Sequence, residues 1–357
     1  MDERVKAFSV LLLSPLPPPS GGIATWTRKY IGWSLQNNID VEIVNTAIIG
    51  NRASQLNKSR SVFEEIKRTT IILRALKSYL GNGKEFVGHI NTPCGKYGII
   101  RDYLCAKLMK NFKVPFIVHY RCNIEDQLIG MTFQKIIFRK LARLATENVV
   151  LNTPSKEYIR RATGRDSKII PNFIDKAAIR NAEKNVNTDL KRIIFAGHVQ
   201  ETKGVKEILL TAREFPDISF ILAGPIASSI KELKVTENVR FAGELLESEL
   251  KSLLEEADAF LFPTYTEGFS NALLEAMAMG LPVITTGVGA NKDMIEEKGG
   301  IIVREGNISD IVEAINKLKN RELRQKISIW NLNKVKEHYQ IDDIMGKLLS
   351  IYLSALK

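Results

Sequence analysis

The chain has 357 residues, is 45% hydrophobic and 25% charged, and carries a formal net charge of +11. That length suffices for two ordinary domains, and the balance of apolar and charged residues excludes a disordered or fibrous protein. Three cysteines without a CxxC pair, Cys94, Cys105 and Cys122, exclude a disulfide framework and read as buried thiols of a reducing compartment.

The first apolar run, Ala7–Leu13, follows charged residues as a signal peptide would. Asp2 and Glu3 before it, and Pro17, Pro18 and Pro19 after it, fit a buried first strand better. No stretch reaches the roughly 18 apolar residues of a membrane span, so an integral membrane protein is not expected. Further strands are expected at Val41–Asn45, Phe86–Ile90, Phe116–His119, Asn148–Asn152 and Lys168–Ile170. After a polar stretch near residues 181–189 the rhythm restarts at Arg192–Ala196, Ser219–Ala223, Val239–Phe241, Ala259–Phe262, Pro282–Thr285 and Gly300–Val303. These runs are short, β-branched and apolar, as strands covered on both faces are. Helical patterns separate most of them. Two β-α-β arrays in series predict an α/β protein of two doubly wound, Rossmann-like domains, residues 1–175 and 176–340, with ligands at the strand ends and a functional cleft between the domains. A last helix, about residues 341–357, is expected to return to the first domain.

Charge is unevenly divided. Residues 1–185 hold 30 Lys and Arg against 15 Asp and Glu, a net of +15, whereas the remainder holds 21 against 25, a net of −4. A basic half suggests a polyanionic partner, a nucleic acid or an anionic bilayer. Aromatic interleaving and a nucleic-acid reader motif are lacking, so nucleic acid is not expected. The predicted helix Met131–Ala145 places Lys135, Arg139, Lys140 and Arg143 on one face and Phe133, Ile137, Phe138, Leu141 and Leu144 on the other. That pattern fits a core helix with a solvated side or an interfacial helix on anionic lipid. A second amphipathic pattern joins Val62, Phe63, Ile66, Leu73, Leu76 and Leu80, flanked by Lys67, Arg68, Arg74 and Lys77.

The most informative segment is Glu267–Gly280, EGFSNALLEAMAMG. It follows an apolar strand and runs from a Gly-aromatic-Ser turn into a helix that Gly280 and Pro282 terminate. Glu275 stands in an otherwise apolar helix, where a carboxylate requires a partner. The N–H groups from Gly268 through Phe269 and Ser270 to Asn271, at the helix start, favour an anion. The segment thus offers a phosphate cradle and two carboxylate acceptors for hydroxyl groups, as a nucleoside diphosphate sugar requires.

This order of residues resembles the E-x7-E motif of GT-B glycosyltransferases, in particular the retaining family 4 enzymes. The resemblance is strongest over residues 190–305. It implies that Glu275 binds the ribose and Glu267 the hydroxyls of the donor sugar. Lys203, in Gly197-His-Val-Gln-Glu-Thr-Lys203-Gly204, matches the family's diphosphate-binding lysine, while His198 stands where the family has Arg and lacks the guanidinium's fixed fork. Gly21-Gly22, opening the helix Ile23–Gln36, is similar to the family's glycine pair near the donor phosphate and the acceptor. His119, at a strand end, matches a histidine that faces the reacting sugar, and Arg121 follows it. Pro171–Asp175 resembles a hinge segment with Phe173 in place of Gly, and Gly287-Val-Gly289-Ala290 resembles the last glycine-rich turn.

The implied activity is transfer of a hexose from a nucleotide sugar, UDP favoured over GDP, to a lipid-linked or polysaccharide acceptor in surface glycan synthesis. The enzyme is expected on the cytoplasmic face of the membrane as a peripheral protein. A sugar-nucleotide epimerase or hydrolase, or a non-catalytic partner subunit, is the alternative. No cofactor is expected: His89, His119, His198 and His338 show no metal-ligand spacing and no D-x-D occurs.

Overall fold

The computed structural model describes residues 8–18, 21–47 and 61–357. The chain forms two compact units. One comprises the residues up to Asn172 together with Ile344–Lys357; the other is Phe173–Asp343.

The first unit is built on β1 (Ser9–Ser14), β2 (Val41–Asn45), β3 (Phe86–Thr92), β4 (Phe116–Tyr120), β5 (Glu147–Val150) and β6 (Lys168–Ile169), in the order β2-β1-β3-β4-β5-β6. All pairings are parallel. Every residue of β1, β3 and β4 is buried, so a continuous apolar run, and not an alternating one, is their sequence signature. The edge strand β6 has only two residues, both exposed, a short edge that offers little to pair with. The expected strand start at Ala7 lies outside the described residues. The strand expected to run to Asn152 stops at Val150, because the Asn152 Oδ1 accepts from Ser155 N–H at 2.8 Å and caps the helix Thr153–Thr163. All three cysteines are buried and free.

The second unit repeats the plan with β7 (Arg192–Ala196), β8 (Ser219–Ala223), β9 (Val239–Gly243), β10 (Ala259–Phe262), β11 (Val283–Thr286) and β12 (Gly300–Val303), in the order β12-β11-β10-β7-β8-β9. Its strands are also all parallel. Near the start of this unit Ile174 donates to Tyr339 O at 2.9 Å and accepts from Ile341 N–H at 3.1 Å.

The helix Ile341–Ala355 carries the chain into the first unit, where Tyr352 is fully buried. Its hydroxyl lies 2.6 Å from His89 Nδ1 and 3.2 Å from the Tyr30 hydroxyl. The His89 ring stacks on His119, with centroids 5.5 Å apart, and Trp26 meets both rings edge-on. Burial, followed by the Arg121 charge, lowers the pKa of His89 from 6.5 to about 3. His119 is lowered as well, by burial, then Arg121, then His89. Both imidazoles are therefore neutral in the folded protein near pH 7.

The unfolded chain binds these protons more readily than the folded one. The contribution to stability is fully present above the ordinary value of 6.5 and is lost as pH falls toward about 3. Each such group removes up to about 1.4 kcal/mol per pH unit within that window. Denaturant unfolding of the wild type between pH 7 and 4 should therefore show a steeper loss than that of His89→Gln. Parallel profiles would contradict this account.

Candidate active site

In the second unit the strand order reverses between β7 and β10. Loops leaving two strands at such a point diverge and open a crevice. Lys203 follows β7 and Glu267 follows β10. The Lys203 Nζ lies 2.5 Å from Glu267 Oε1 and donates to Thr266 O at 3.2 Å. It also stands 5.9 Å over the Phe262 ring. Burial raises the Glu267 carboxyl above its usual range, and the Lys203 charge and hydrogen bond oppose that shift.

The two loops are joined through main-chain contacts. Tyr265 N–H donates to Thr202 O at 3.0 Å. Gly204 adopts φ +74°, and a Cβ there would lie 2.1 Å from Pro263 O, so the turn that presents Lys203 demands glycine. Gly289 makes the same close approach on the other side. Its φ is +55°, a Cβ would lie 1.9 Å from Glu267 O, and the following Ala290 N–H donates to Gly268 O at 3.2 Å. The sequence marks Gly287–Ala290 as resembling the family's last glycine-rich turn; the structure sets Gly289 against the main chain of Glu267. Thr285, Thr286 and Asn291 also escape sequence reasoning. Thr285 donates to Phe262 O at 2.7 Å and Thr286 to Thr264 O at 2.5 Å, while Asn291 Nδ2 donates to Thr285 Oγ1 at 3.0 Å. Two hydroxyls at the end of an apolar strand are the available signal.

The helix after Glu267 spans Asn271–Ala278. Ser270 Oγ accepts from Leu273 N–H at 3.3 Å, so one of the donors at the helix start is occupied by a cap. The Phe269 side chain is buried edge-on against Tyr339, centroids 5.9 Å apart; its ring anchors the turn. Glu275 is half-buried among the buried Leu273, Leu274, Ala276, Met277 and Ala278, less enclosed than the apolar sequence suggests. His198 is exposed on the loop after β7.

In the first unit Gly22 is exposed at the start of the helix Gly22–Gln36. His119 is fully buried at the end of β4. Arg121 Nη1 lies 3.1 Å from His119 Nε2, its Nη2 donates to Asn172 Oδ1 at 2.5 Å, and the guanidinium stacks 4.5 Å from the Trp26 ring. A neutral imidazole nitrogen accepts from arginine. Burial lowers Arg121 to about 9, which still leaves it charged at neutral pH.

Two corrections concern the basic helices. Phe133 was expected on the buried side of the helix now bounded as Thr132–Leu144, yet it is 57% exposed, with Ile136 45% exposed beside it and Gln134 buried instead. On the helix Val62–Leu80, Val62, Phe63 and Ile66 are exposed and only its second half packs inward, through Ile72, Leu76 and Leu80. Arg68, which flanks this helix's apolar stripe, donates to Thr46 O and to Glu65 at 3.2 Å. Among the described residues no helix is long and apolar enough to cross a membrane, and no group of three or more His, Cys, Asp or Glu could hold a metal ion.

Two doubly wound parallel units in one chain are the architecture of the GT-B fold. Residues 176–331 match the family model described as glycosyl transferases group 1. Over 99% of this chain and 98% of its relative, the sequence is 24% identical to the capsular polysaccharide biosynthesis glycosyltransferase CapM of Staphylococcus aureus. The sucrose-phosphate synthase of Thermosynechococcus elongatus superposes with a TM-score of 0.78 at 17% identity, covering 98% of this chain and 100% of that one. The Anabaena protein HepE, solved in complex with UDP and glucose, gives 0.73 at 15% identity, covering 97% and 100%. The chain is a glycosyltransferase of the GT-B fold, and residues 176–331, in its second unit, match glycosyl transferases group 1.

The close approach at Gly289 yields a direct test. Gly289→Ala combines a left-handed backbone with a clash against main chain, so it should destabilise the protein by about 2–4 kcal/mol. At Gly287 a Cβ would meet only Ile302 Cγ2, at 3.7 Å, and the Gly287→Ala control should change stability by less than about 1 kcal/mol. Chemical denaturation of both variants measures the difference.

Proposed function

We propose that this enzyme transfers a hexosyl group from a nucleoside diphosphate sugar, UDP favoured over GDP, to a lipid-linked or polysaccharide acceptor in surface glycan synthesis. It retains the anomeric configuration and uses no metal. The observation that carries the reading is the Lys203–Glu267 pair, 2.5 Å apart at the switch point of the second sheet. An ammonium beside a carboxylate answers the two needs of such a donor, a cation for the diphosphate and an acceptor for sugar hydroxyls. Charge building on the departing diphosphate would be met by Lys203 and by the backbone of Gly268–Asn271, which is electrostatic catalysis. Glu275 is the ribose acceptor, and His198 and Gly22 are donor-phosphate contacts. His119 is the contact for the reacting sugar; Arg121 and Trp26 cover it, so that contact requires the guanidinium to move. The UDP and glucose bound by HepE and the capsular role of CapM support the choice of donor and product.

Transfer from radiolabelled UDP-sugars to membrane extract tests the activity, and turnover without acceptor would favour an epimerase or hydrolase instead. Activity should persist in excess EDTA; loss restored by Mn²⁺ or Mg²⁺ would refute metal independence. Glu275→Ala removes a charged hydrogen-bond acceptor worth about 1.5–3 kcal/mol, so donor affinity should fall at least roughly tenfold by calorimetry. Unchanged affinity in a folded variant would remove Glu275 from the ribose.

The membrane assignment rests on exposed apolar side chains beside basic ones. Phe63, Ile66, Phe133 and Ile136 are exposed, near Lys67, Arg74 and Lys77 on one helix and Lys135, Arg139, Lys140 and Arg143 on the other. Such a surface suits reversible attachment to an anionic leaflet. Vesicles containing phosphatidylglycerol should sediment the enzyme, neutral ones should not, and high salt should release it. Replacing Lys135, Arg139, Lys140 and Arg143 by Gln should weaken sedimentation without altering donor affinity; equal binding to both vesicle types would exclude an electrostatic anchor.

A further inference from the structure

The Lys203–Glu267 pair is also a strut between the loops that follow β7 and β10. The ammonium reaches both Glu267 Oε1 and the Thr266 carbonyl. A donor that draws Lys203 to its diphosphate and Glu267 to its hydroxyls removes that strut just when both groups must stay in place. Such a site needs a second tie for which the ligand does not compete.

Tyr265, two residues before Glu267, supplies one. Its hydroxyl crosses to the helix Val205–Ala212 and donates to Glu207 Oε1 at 2.7 Å. Its N–H donates to Thr202 O at 3.0 Å. Tyr265 therefore grips the segment after β7 at two points, one on each side of Lys203 in the chain. The link spans the same two loops as the ion pair and uses neither charged group of that pair.

The contact is built into the fold. Glu207 Oε2 is buried, with no hydrogen-bond partner among the described residues, so this carboxylate gives up hydration to face Tyr265. The hydrogen bond to Glu207, more than burial, raises the Tyr265 hydroxyl to about 12, so it stays a donor at neutral pH. A third loop, after β12, makes room for it. Gly306 there has φ +69°, and a Cβ would lie 2.9 Å from the Tyr265 hydroxyl, so that approach favours glycine.

We propose that Tyr265 and Glu207 are positioning residues for the donor: their hydrogen bond keeps Lys203 and Glu267 in register when a nucleotide sugar parts the ion pair. The inference rests on the donor reading of Lys203 and Glu267, and adds two residues that act through that pair and not on the donor itself.

Calorimetric titration of UDP, and of GDP in parallel, into the full chain tests it. The wild type should bind one of the two, and Lys203→Gln should bind it more weakly. Tyr265→Phe keeps the ring and removes only the hydroxyl; nucleotide affinity should fall about three- to tenfold, the loss expected for one hydrogen bond. Glu207→Ala should match it, whereas Glu207→Gln, which keeps an oxygen acceptor, should recover most of the affinity. In the Lys203→Gln background, Tyr265→Phe should cost less than about twofold, because the cation it positions is gone. A merely structural contact would lower stability without that dependence on Lys203. Unchanged affinity in folded Tyr265→Phe, or an equal loss with and without Lys203, would overturn the proposal. Binding of neither nucleotide, or binding indifferent to Lys203→Gln, would overturn the donor reading and the inference with it. Binding that Lys203→Gln weakens and Tyr265→Phe does not would overturn the inference alone.

Discussion

The second unit places one ion pair, Lys203 with Glu267, where its sheet opens. Removing a carboxylate and an ammonium from water carries an effective penalty of several kcal/mol per ion, and a pair of unit charges 4 Å apart recovers about 4 kcal/mol at an effective dielectric constant of 20. A contact of this kind sits near balance. The raised Glu267 pKa records the penalty, and the opposing influence of Lys203 records the recovery. A pair near balance is suited to exchange of partners, which the proposed roles of Lys203 and Glu267 require. The surrounding main chain is far less adaptable, because Gly204 and Gly289 hold the two loops against Pro263 and Glu267 at distances that admit no side chain.

Much of this architecture is legible in the sequence, for a specific reason. Strands of parallel sheets buried on both faces read as short apolar runs, and β2, β7, β8, β10 and β12 fall where those runs lie. Lys203 and Glu267 stand out because the loops after two such runs, β7 and β10, resemble family motifs. What the sequence conceals is pairing across distance. Tyr352 meets His89 across 263 positions, and no local pattern marks either residue. Gly289 shows the same limit: a glycine in a turn is unremarkable until the carbonyl of Glu267 is found against it. The buried face of the helix Thr132–Leu144 runs through Gln134, Ile137, Phe138, Leu141 and Ala142, a stripe turned away from Phe133 and Ile136, which stay exposed.

The first unit carries its positive charge in two populations that obey different physics. Lys135, Arg139, Lys140 and Arg143 lie on a helix at the surface, where charges act across water and are screened over roughly 8 Å at physiological salt. Arg101 and Arg121 are buried, where screening is weak and each must be held by fixed partners. Arg101 has Asp102; Arg121 has the Trp26 face, a neutral His119 and the Asn172 oxygen. With no carboxylate among these described partners, Arg121 is the less compensated cation, and its lowered pKa reflects that. Net charge alone, read from the sequence, merges both populations into one number. The structure separates exposed charges, whose fields salt screens, from interior guanidinium groups held by fixed partners, where screening is weak.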